Sequence, residues 1–548
     1  MWFWREDNFN ELKKILIISA IPILYLAIFS SLKIAQGPYY NSMLYDPSYV
    51  YLISSLNIAQ GVGAAHIDHP GSTVQLIGGV VVKTLYTAFG NSSDIVESVF
   101  LTPESYVSSI YFALIFINAL GLFIMGYILK NAGLISMEIL FLQMSPLLCF
   151  TSYIRLTQVS SEIFLVFTFS LMIAYLIRYR NLEPLYRESY KYALIFGVLC
   201  GLSVVTKLTT LPFMLLPFFL LKGISKKIVL VIVAATVFLV IFVISSDNSS
   251  FFLNYVTNTV TKTGSYGQGD SGFIDTATYT RNFAKIFTTD YLFTFILGIS
   301  IITTLYFISS KKAKTYSNNN FNRSFIIIYI LSTLLLTFLI AKNFFPHYTL
   351  PALLYANTAI FVCISMFADT VIYKKYYKPF LRILFFVSFI IMIFVFISLI
   401  VKSGDRLSES RKITSFFGQT EGLDILSFGV SSPELALAYG TEYGGANRSL
   451  YSSMVSKRDT NIIYFQVHGN KIRKLYSPFT SIDNNELRSI LLSEEKVYYY
   501  SRKYVARFDN NEAFLKLLKE KLQVQNCRLE KVLENKNHES VFEVIIDE

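Results

Sequence analysis

Residues 228–246 read IVLVIVAATVFLVIFVISS, a run of 19 residues without a charge. A helix needs roughly 17 to 25 apolar residues to cross a bilayer, so this run is long enough to span one. Ten further apolar runs lie on either side of it, at 12–34, 106–129, 134–153, 162–178, 192–206, 208–221, 291–309, 324–341, 349–368 and 380–401. The sequence therefore predicts an all-α polytopic membrane bundle of about eleven transmembrane helices.

The composition excludes an ordinary soluble protein, because 53% of the 548 residues are hydrophobic and only 16% are charged. The formal net charge of +11 would suit a nucleic-acid partner if it were clustered. Residues 402–548 are nearly neutral, with 21 Lys and Arg against 20 Asp and Glu, so the excess lies between the apolar runs. We expect a lipid bilayer as partner and no nucleic acid.

The stretch 72–90 is apolar but contains Gln75, Gly78, Gly79 and Lys83. If it does not cross, 19 Lys and Arg residues collect on the side of the N-terminus and 8 on the opposite side. If it does cross, the later loops change sides and the basic loops face outward. The positive-inside rule therefore favours an in-plane or re-entrant helix and a cytoplasmic N-terminus.

This topology places the loops 35–105 and 247–290 and the tail 402–548 outside. The tail alternates β-rich runs with helical patterns, the former at 423–429, 461–467, 496–501 and 541–547 and the latter at 484–493 and 511–523. We expect a transmembrane domain over 1–401 and a soluble extracytoplasmic α/β domain over 402–548.

Asp46 begins an amphipathic pattern at the predicted outer membrane surface. A carboxylate half removed from water there is suited to accept a proton from an attacking hydroxyl. Because Pro47 follows it, Asp46 also fits the N-cap of a helix, and both roles are compatible.

His66, Asp68 and His69 fall within four residues of one another, just before the 72–90 stretch. Two imidazoles and a carboxylate are suited to a divalent cation. A polar turn explains the same residues without a metal.

Ionisable residues recur at the predicted outer ends of the spans, where they are costly unless paired or used. Arg155 and Glu162 lie on either side of one predicted outer membrane boundary. They could form a structural ion pair or a functional pair. Lys207 lies between two apolar runs. Its side chain could anchor the chain at the membrane interface or bind a phosphate. Lys342, His347 and Tyr348 form a third cluster, for which an aromatic-belt loop is the alternative to ligand binding.

The order of these motifs resembles the GT-C superfamily of polytopic glycosyltransferases, in the branch of the protein O-mannosyltransferases and the lipid A aminoarabinose transferases. The motifs that carry the resemblance extend over residues 1 to about 365 and are YDPSYVY (45–51), HPG (69–71), Y-x-R followed by an acid (153–162), GLSVVTK (201–207) and AKNFFPHY (341–348).

The resemblance implies a sugar donor linked to polyprenyl phosphate, an extracytoplasmic acceptor that is a glycan, lipid or protein, and inversion at the anomeric carbon. It implies Asp46 as the catalytic base, with Glu162 as a second acid at a position where relatives often carry Asp. Donor phosphate binding would fall to Lys207, Arg155, Lys342, His347 and Tyr348. No cofactor is required, apart from a divalent cation if residues 66–69 bind one.

A non-catalytic flippase or transport component of surface-glycan export is the alternative function. Its carboxylates would couple ion movement to transport, whereas a transferase needs Asp46 for turnover.

Overall fold

The computed structural model describes the chain over residues 6–41, 44–67, 70–183, 187, 189–246, 249–264, 267, 269–272, 274–309, 320–368, 376–417, 419, 421–456, 462–466, 471–474, 482–494, 496–503, 510–522 and 526–547. The chain divides into two compact units, which are described separately. The first, called the bundle unit, comprises Met1–Ser30, Ile67–Val74 and Tyr111–Phe396. The second, called the sheet unit, comprises Ser31–His66, Gln75–Ile110 and Ile397–Glu548.

Helices form most of the described chain. In chain order the α-helices are α1 Glu6–Gln36, α2 Tyr45–Ala59, α3 Ser72–Phe89, α4 Ile95–Leu101, α5 Pro103–Asn131, α6 Ser136–Gln143, α7 Tyr153–Leu156, α8 Ser161–Asn181, α9 Lys191–Thr206, α10 Leu215–Leu220, α11 Ile224–Ser245, α12 Ser249–Thr261, α13 Thr276–Thr289, α14 Tyr291–Ser309, α15 Asn320–Ile340, α16 Leu350–Leu354, α17 Ala356–Ala368, α18 Tyr377–Phe417, α19 Pro433–Thr441, α20 Arg448–Ser456, α21 Asn484–Ser493 and α22 Asn510–Leu522. Short 3₁₀ helices occur at Ser145–Leu148, Phe150–Ser152, Leu208–Met214, Pro346–Thr349 and Gly445–Asn447.

Seven helices of the described chain are long and apolar enough to cross a membrane, namely α1, α5, α8, α11, α14, α15 and α18. A bent pair, Pro346–Leu354 with Ala356–Phe367, makes an eighth if it is counted as one span. The predicted count of eleven is not confirmed. The runs 192–206 and 208–221 form helices too short to qualify, and 134–153 breaks after Gln143 into 3₁₀ turns.

Helix α3 is not among the candidate spans. Its predicted course in the membrane plane remains a prediction. Together with α2 and α4 it lies in sequence between the first two candidate spans.

Close packing and buried hydrogen bonds hold the bundle unit together. On α9, Cβ atoms added at Gly197 and Gly201 would lie 2.9 Å from the Leu230 carbonyl and 2.6 Å from the Ala234 carbonyl of α11. Small residues four apart allow helix backbones to approach in this way. On α6, the Gln143 amide donates to the carbonyls of Ile18 and Leu122 at 3.0 and 2.8 Å.

A six-stranded sheet forms the core of the C-terminal region. Its strands are β1 Leu423–Ser427, β2 Ile462–Gln466, β3 Lys471–Lys474, β4 Val497–Arg502, β5 Asn526–Glu534 and β6 Glu539–Asp547, in the spatial order β3-β2-β1-β4-β6-β5. Strand β1 pairs in parallel with β2 and β4, and the other pairs are antiparallel. Ile425, Phe465, Tyr499 and Phe514 are fully buried in its hydrophobic core.

The four predicted strands and the two predicted helices of the tail are confirmed within a few residues. The sequence missed two strands and two helices, β3, β5, α19 and α20. Strand β5 was missed because its charged residues conceal the alternation of an edge strand.

Candidate functional site

Lys207 lies where two apolar helices meet. Helix α9 ends at Thr206, the backbone at Lys207 is extended with φ −159°, and the 3₁₀ helix Leu208–Met214 follows. The Lys207 amide still donates to the Ser203 carbonyl at 2.9 Å, so the break is confined to one residue. The side chain is only 3% exposed, which means that its ammonium group needs a partner inside the protein.

That partner is Glu162, in the first turn of α8. Nζ of Lys207 forms an ion pair with Oε1 of Glu162, and Nε2 of His347 lies 3.3 Å from the same oxygen. The Ser161 hydroxyl donates to the other carboxylate oxygen at 3.1 Å. We call Glu162, Lys207 and His347 the charge cluster.

Aromatic and basic neighbours complete the surroundings of the charge cluster. The Tyr348 ring lies 4.8 Å from Nζ of Lys207, a distance typical of a cation–π contact. The rings of His347 and Tyr348 are 4.6 Å apart. Arg155 acts electrostatically on Glu162, while its guanidinium donates to Gln158 at 3.2 Å. Two basic groups therefore contact one buried carboxylate, and a third acts on it.

The segment after the HPG motif is fixed beside Lys207. Pro70 and Lys207 form an antiparallel β-bridge, and the Gly71 amide donates to the Thr206 carbonyl at 3.1 Å. The hydroxyls of Thr73 and Thr206 are 2.7 Å apart. Two sequence motifs more than 130 residues apart are thus joined by main-chain hydrogen bonds.

Sequence reasoning missed Asp290, a buried carboxylate that supports this region. It accepts hydrogen bonds from the hydroxyls of Thr151 and Thr349 at 2.9 and 3.0 Å and from the Phe293 amide at 3.1 Å. Asp290 therefore caps α14 while connecting the chain before Tyr153 to the chain after Tyr348. The sequence did contain a signal for this role, because an Asp directly before an apolar run is typical of a helix N-cap.

Lys342 binds a different part of the bundle unit from the charge cluster. Its Nζ donates to the carbonyl of Thr259 near the end of α12, and partial burial lowers the pKa of the amine. In the described part of the chain, Lys342 is not among the groups that contact Glu162. Of the predicted phosphate ligands, the structure therefore brings together Lys207, His347 and Tyr348, with Arg155 near them.

Asp46 belongs to the sheet unit. Its backbone is extended, with φ −96° and ψ 110°, so the regular turns of α2 begin only after it, and its predicted role as a helix cap remains a prediction. The Asp46–Pro47 peptide bond is cis. The side chain is half-buried.

Aromatic side chains from the C-terminal region surround the Asp46 segment. Tyr45 is fully buried, its hydroxyl accepts from the Gly429 amide at 2.9 Å, and its ring lies 5.3 Å from that of Tyr439. Burial, with the charge of Asp46 adding to it, raises the pKa of Tyr439 well above its usual range. Sequence reasoning found Asp46 but missed these tyrosines, because no local pattern connects residues nearly 400 positions apart.

Helix α2 was predicted to be an amphipathic helix at the outer membrane surface. It is not amphipathic, because it is buried on nearly every face and α19 packs against it. Its position at the membrane surface remains a prediction. Buried Asn57 donates to the Gly444 carbonyl at 2.9 Å and accepts from the Tyr451 hydroxyl at 2.6 Å. The helix that carries Asp46 is therefore part of the core of the sheet unit.

The predicted metal site is described only in part. The His66 ring packs between those of Tyr51 and Tyr443, at centroid distances of 5.6 and 5.1 Å. Asp68 and His69 lie outside the described residues. Within the described ranges, no group of three His, Cys, Asp or Glu side chains is arranged to hold a metal.

Comparison with known proteins adds no relative. No family model, no curated protein and no solved structure matches the chain.

Proposed function

We propose that this protein is a membrane glycosyltransferase that moves a sugar from polyprenyl phosphate to an extracytoplasmic glycan, lipid or protein. The observation that carries the proposal is the charge cluster. Its residues come from three separate motifs, and they gather a lysine, a histidine and a nearby arginine around one carboxylate. A phosphate group is the kind of ligand that such a set of donors suits.

The chemistry requires one base and a set of cations. The acceptor oxygen attacks the anomeric carbon, its proton passes to the Asp46 carboxylate, and the bond from that carbon to the phosphate oxygen breaks. The electron pair leaves with polyprenyl phosphate, and the anomeric configuration inverts. The charge on the departing phosphate grows as the bond breaks, so Lys207, His347 and Arg155 stabilise the transition state more than the ground state.

Glu162 has a defined part in this proposal. Without donor, it neutralises Lys207 and holds its ammonium in place, because a buried unpaired cation is costly. When donor binds, the phosphate takes over part of that neutralising role. We place Asp46 and the sheet unit outside the cell membrane and the N-terminus in the cytoplasm, as the distribution of basic loops favours.

The test is transfer from a radiolabelled polyprenyl phosphate sugar by the full chain in nanodiscs, with a membrane extract as the source of acceptor. Asp46→Asn should lower single-turnover transfer by roughly 100- to 10,000-fold, the usual contribution of a general base, while donor affinity stays nearly unchanged. Asp275→Asn is the matched control, because Asp275 is an exposed helix cap that accepts from the Thr278 amide. Full activity of Asp46→Asn would exclude this role for Asp46.

A flippase is the second candidate, favoured by one observation: the charge cluster lies where apolar helices begin, break and bend, as ion and substrate sites of transporters do. Vesicles that contain the protein and a labelled lipid-linked sugar but no acceptor distinguish the two functions. A flippase moves the label between leaflets under these conditions, and a transferase leaves it in place.

A further inference from the structure

Helix α18 continues well beyond its apolar run. It contains 41 residues and is therefore roughly 60 Å long, about twice the thickness of the hydrocarbon core. The apolar run ends at Val401. Exposed Lys402 and Arg406 follow one helical turn apart, so both lie on one face of the helix just beyond its apolar run.

The turn between β5 and β6 is attached to the same face. The Asn537 side chain donates to the Arg406 carbonyl at 2.9 Å, and the Asn535 side chain donates to the Glu409 carbonyl at 3.0 Å. The Lys536 amide donates to the Glu409 carboxylate at 3.0 Å. These bonds fix the backbone of Lys536 against α18, in contrast to the free turn of most hairpins.

A cavity of about 330 Å³ opens between the helix and the turn, lined by Lys402, Asp405, Arg406, Ser408, Glu409, Lys536 and Asn537. Three cations face two carboxylates there. One of these, Glu409, is already engaged by the Lys536 amide and by Lys412, whose Nζ lies 2.8 Å away. The net charge of the lining is positive, and the volume lies within the range of small-ligand sites.

We propose that this cavity binds the phosphate of an anionic phospholipid headgroup. Depth and charge both favour such a ligand: Lys402 is the first residue after an apolar run, and headgroup phosphates occur at the level of a bilayer where such a run ends. Each Lys or Arg near an anionic membrane surface adds about 1 kcal/mol of attraction, roughly fivefold in affinity. The site does not depend on transferase activity, because it uses none of the residues assigned to transfer.

The test uses the full chain in nanodiscs of phosphatidylcholine containing spin-labelled phosphatidylglycerol, and it measures the immobilised fraction of the label. The variant K402Q/R406Q/K536Q should lose the preference for phosphatidylglycerol over phosphatidylcholine by about tenfold or more. The matched control is K516Q/K519Q/K531Q, which removes the same charge from exposed positions elsewhere in the sheet unit. The control should keep the preference.

Two further arms and a melting profile decide between lipid and free phosphate as the ligand and guard against misfolding. Inorganic phosphate at millimolar concentration should not displace the labelled lipid, and efficient displacement would reassign the cavity to free phosphate. The substitutions K402R/K536R should retain the preference if charge at these positions is what matters. Equal loss in the site and control variants, or an unchanged preference in the site variant with a native melting profile, would overturn the proposal.

Discussion

In the charge cluster three ionisable side chains contact one another, whereas in the Asp46 segment Tyr45 packs against the rings of Phe428 and Tyr439. Glu162 and Lys207 are buried and paired, and removing either leaves a charge in an apolar environment. Asp46 is half-buried, and its neighbours Tyr45 and Tyr439 carry no charge at neutral pH. The first arrangement favours the charged forms of its members, and the proposed base Asp46 belongs to the second.

The difference also determines what each region tolerates. In the charge cluster the proposed phosphate ligands also stabilise the fold, because each buried charge replaces the water that the other has lost. In the sheet unit, α2 is held by packing and by the hydrogen bonds of Asn57 to Gly444 and Tyr451. We therefore expect substitutions in the cluster to affect folding and donor binding together, and substitutions of the buried residues of α2 other than Asp46 to act mainly through folding.

Lys207→Ala should give the largest effect. It leaves Glu162 buried without its main partner, which we expect to cost about 3–5 kcal/mol of stability. Donor affinity should fall roughly ten- to hundred-fold, because one charge-assisted contact to phosphate is lost. Thermal unfolding and donor binding in nanodiscs measure the two effects. A variant that binds donor like wild type would show that Lys207 is an interfacial anchor.

The double substitution Glu162→Gln with Lys207→Met tests whether the cost comes from the unpaired charge. Removing both charges should recover most of the stability lost in Lys207→Ala, to within about 1–2 kcal/mol of wild type, while donor binding stays weak. Unfolding midpoints of the single and double variants give the coupling energy. If the stability losses of the two single variants add up to that of the double variant, Glu162 and Lys207 do not stabilise the protein through their interaction.

Gly440→Ala tests the sheet unit. An added Cβ would lie 3.0 Å from the Tyr49 carbonyl and 3.1 Å from the Ile53 side chain, so α19 and α2 must separate. Such overpacking typically costs about 1–3 kcal/mol. Gly404→Ala is the matched control, because an added Cβ there has no neighbour within 4 Å and should stabilise α18 by about 0.5–1 kcal/mol. Equal melting temperatures for the two variants would refute the close packing.

Lys342→Ala should give the smallest effect. Its amine binds the Thr259 carbonyl and does not contact Glu162, so stability should change by no more than about 0.5 kcal/mol and donor affinity by roughly twofold. Donor titration beside Lys207→Ala provides the comparison. A tenfold loss of donor affinity in Lys342→Ala would extend the phosphate site to this lysine.

Features that depend on a single segment of the chain could be predicted from the sequence of that segment. The strands over 423–427 and 497–502 follow from β-rich runs, and Glu162 and Lys207 stood out because a charge beside an apolar run is costly. Contacts between distant segments could not be predicted. Asn57 meets Tyr451, and no pattern within either helix indicates the other.

The predicted count of eleven spans is not confirmed, for a related reason. Apolar runs such as 134–153 satisfy length and composition, yet Pro146 and the turns around it break the helix. Hydropathy reports how apolar a run is and not whether its backbone continues. The charge cluster depends on such a break, because Lys207 reaches Glu162 from the extended residue between α9 and the 3₁₀ helix.

The order of the sheet leaves β3 and β5 at its two edges. The sequence of β3 is KIRK, and β5 carries Arg528, Glu530, Lys531 and Glu534. An unpaired strand edge is a template on which another chain can add, and charged edge residues oppose that addition. The charged residues at both edges of the sheet therefore oppose strand-by-strand growth between copies of the protein.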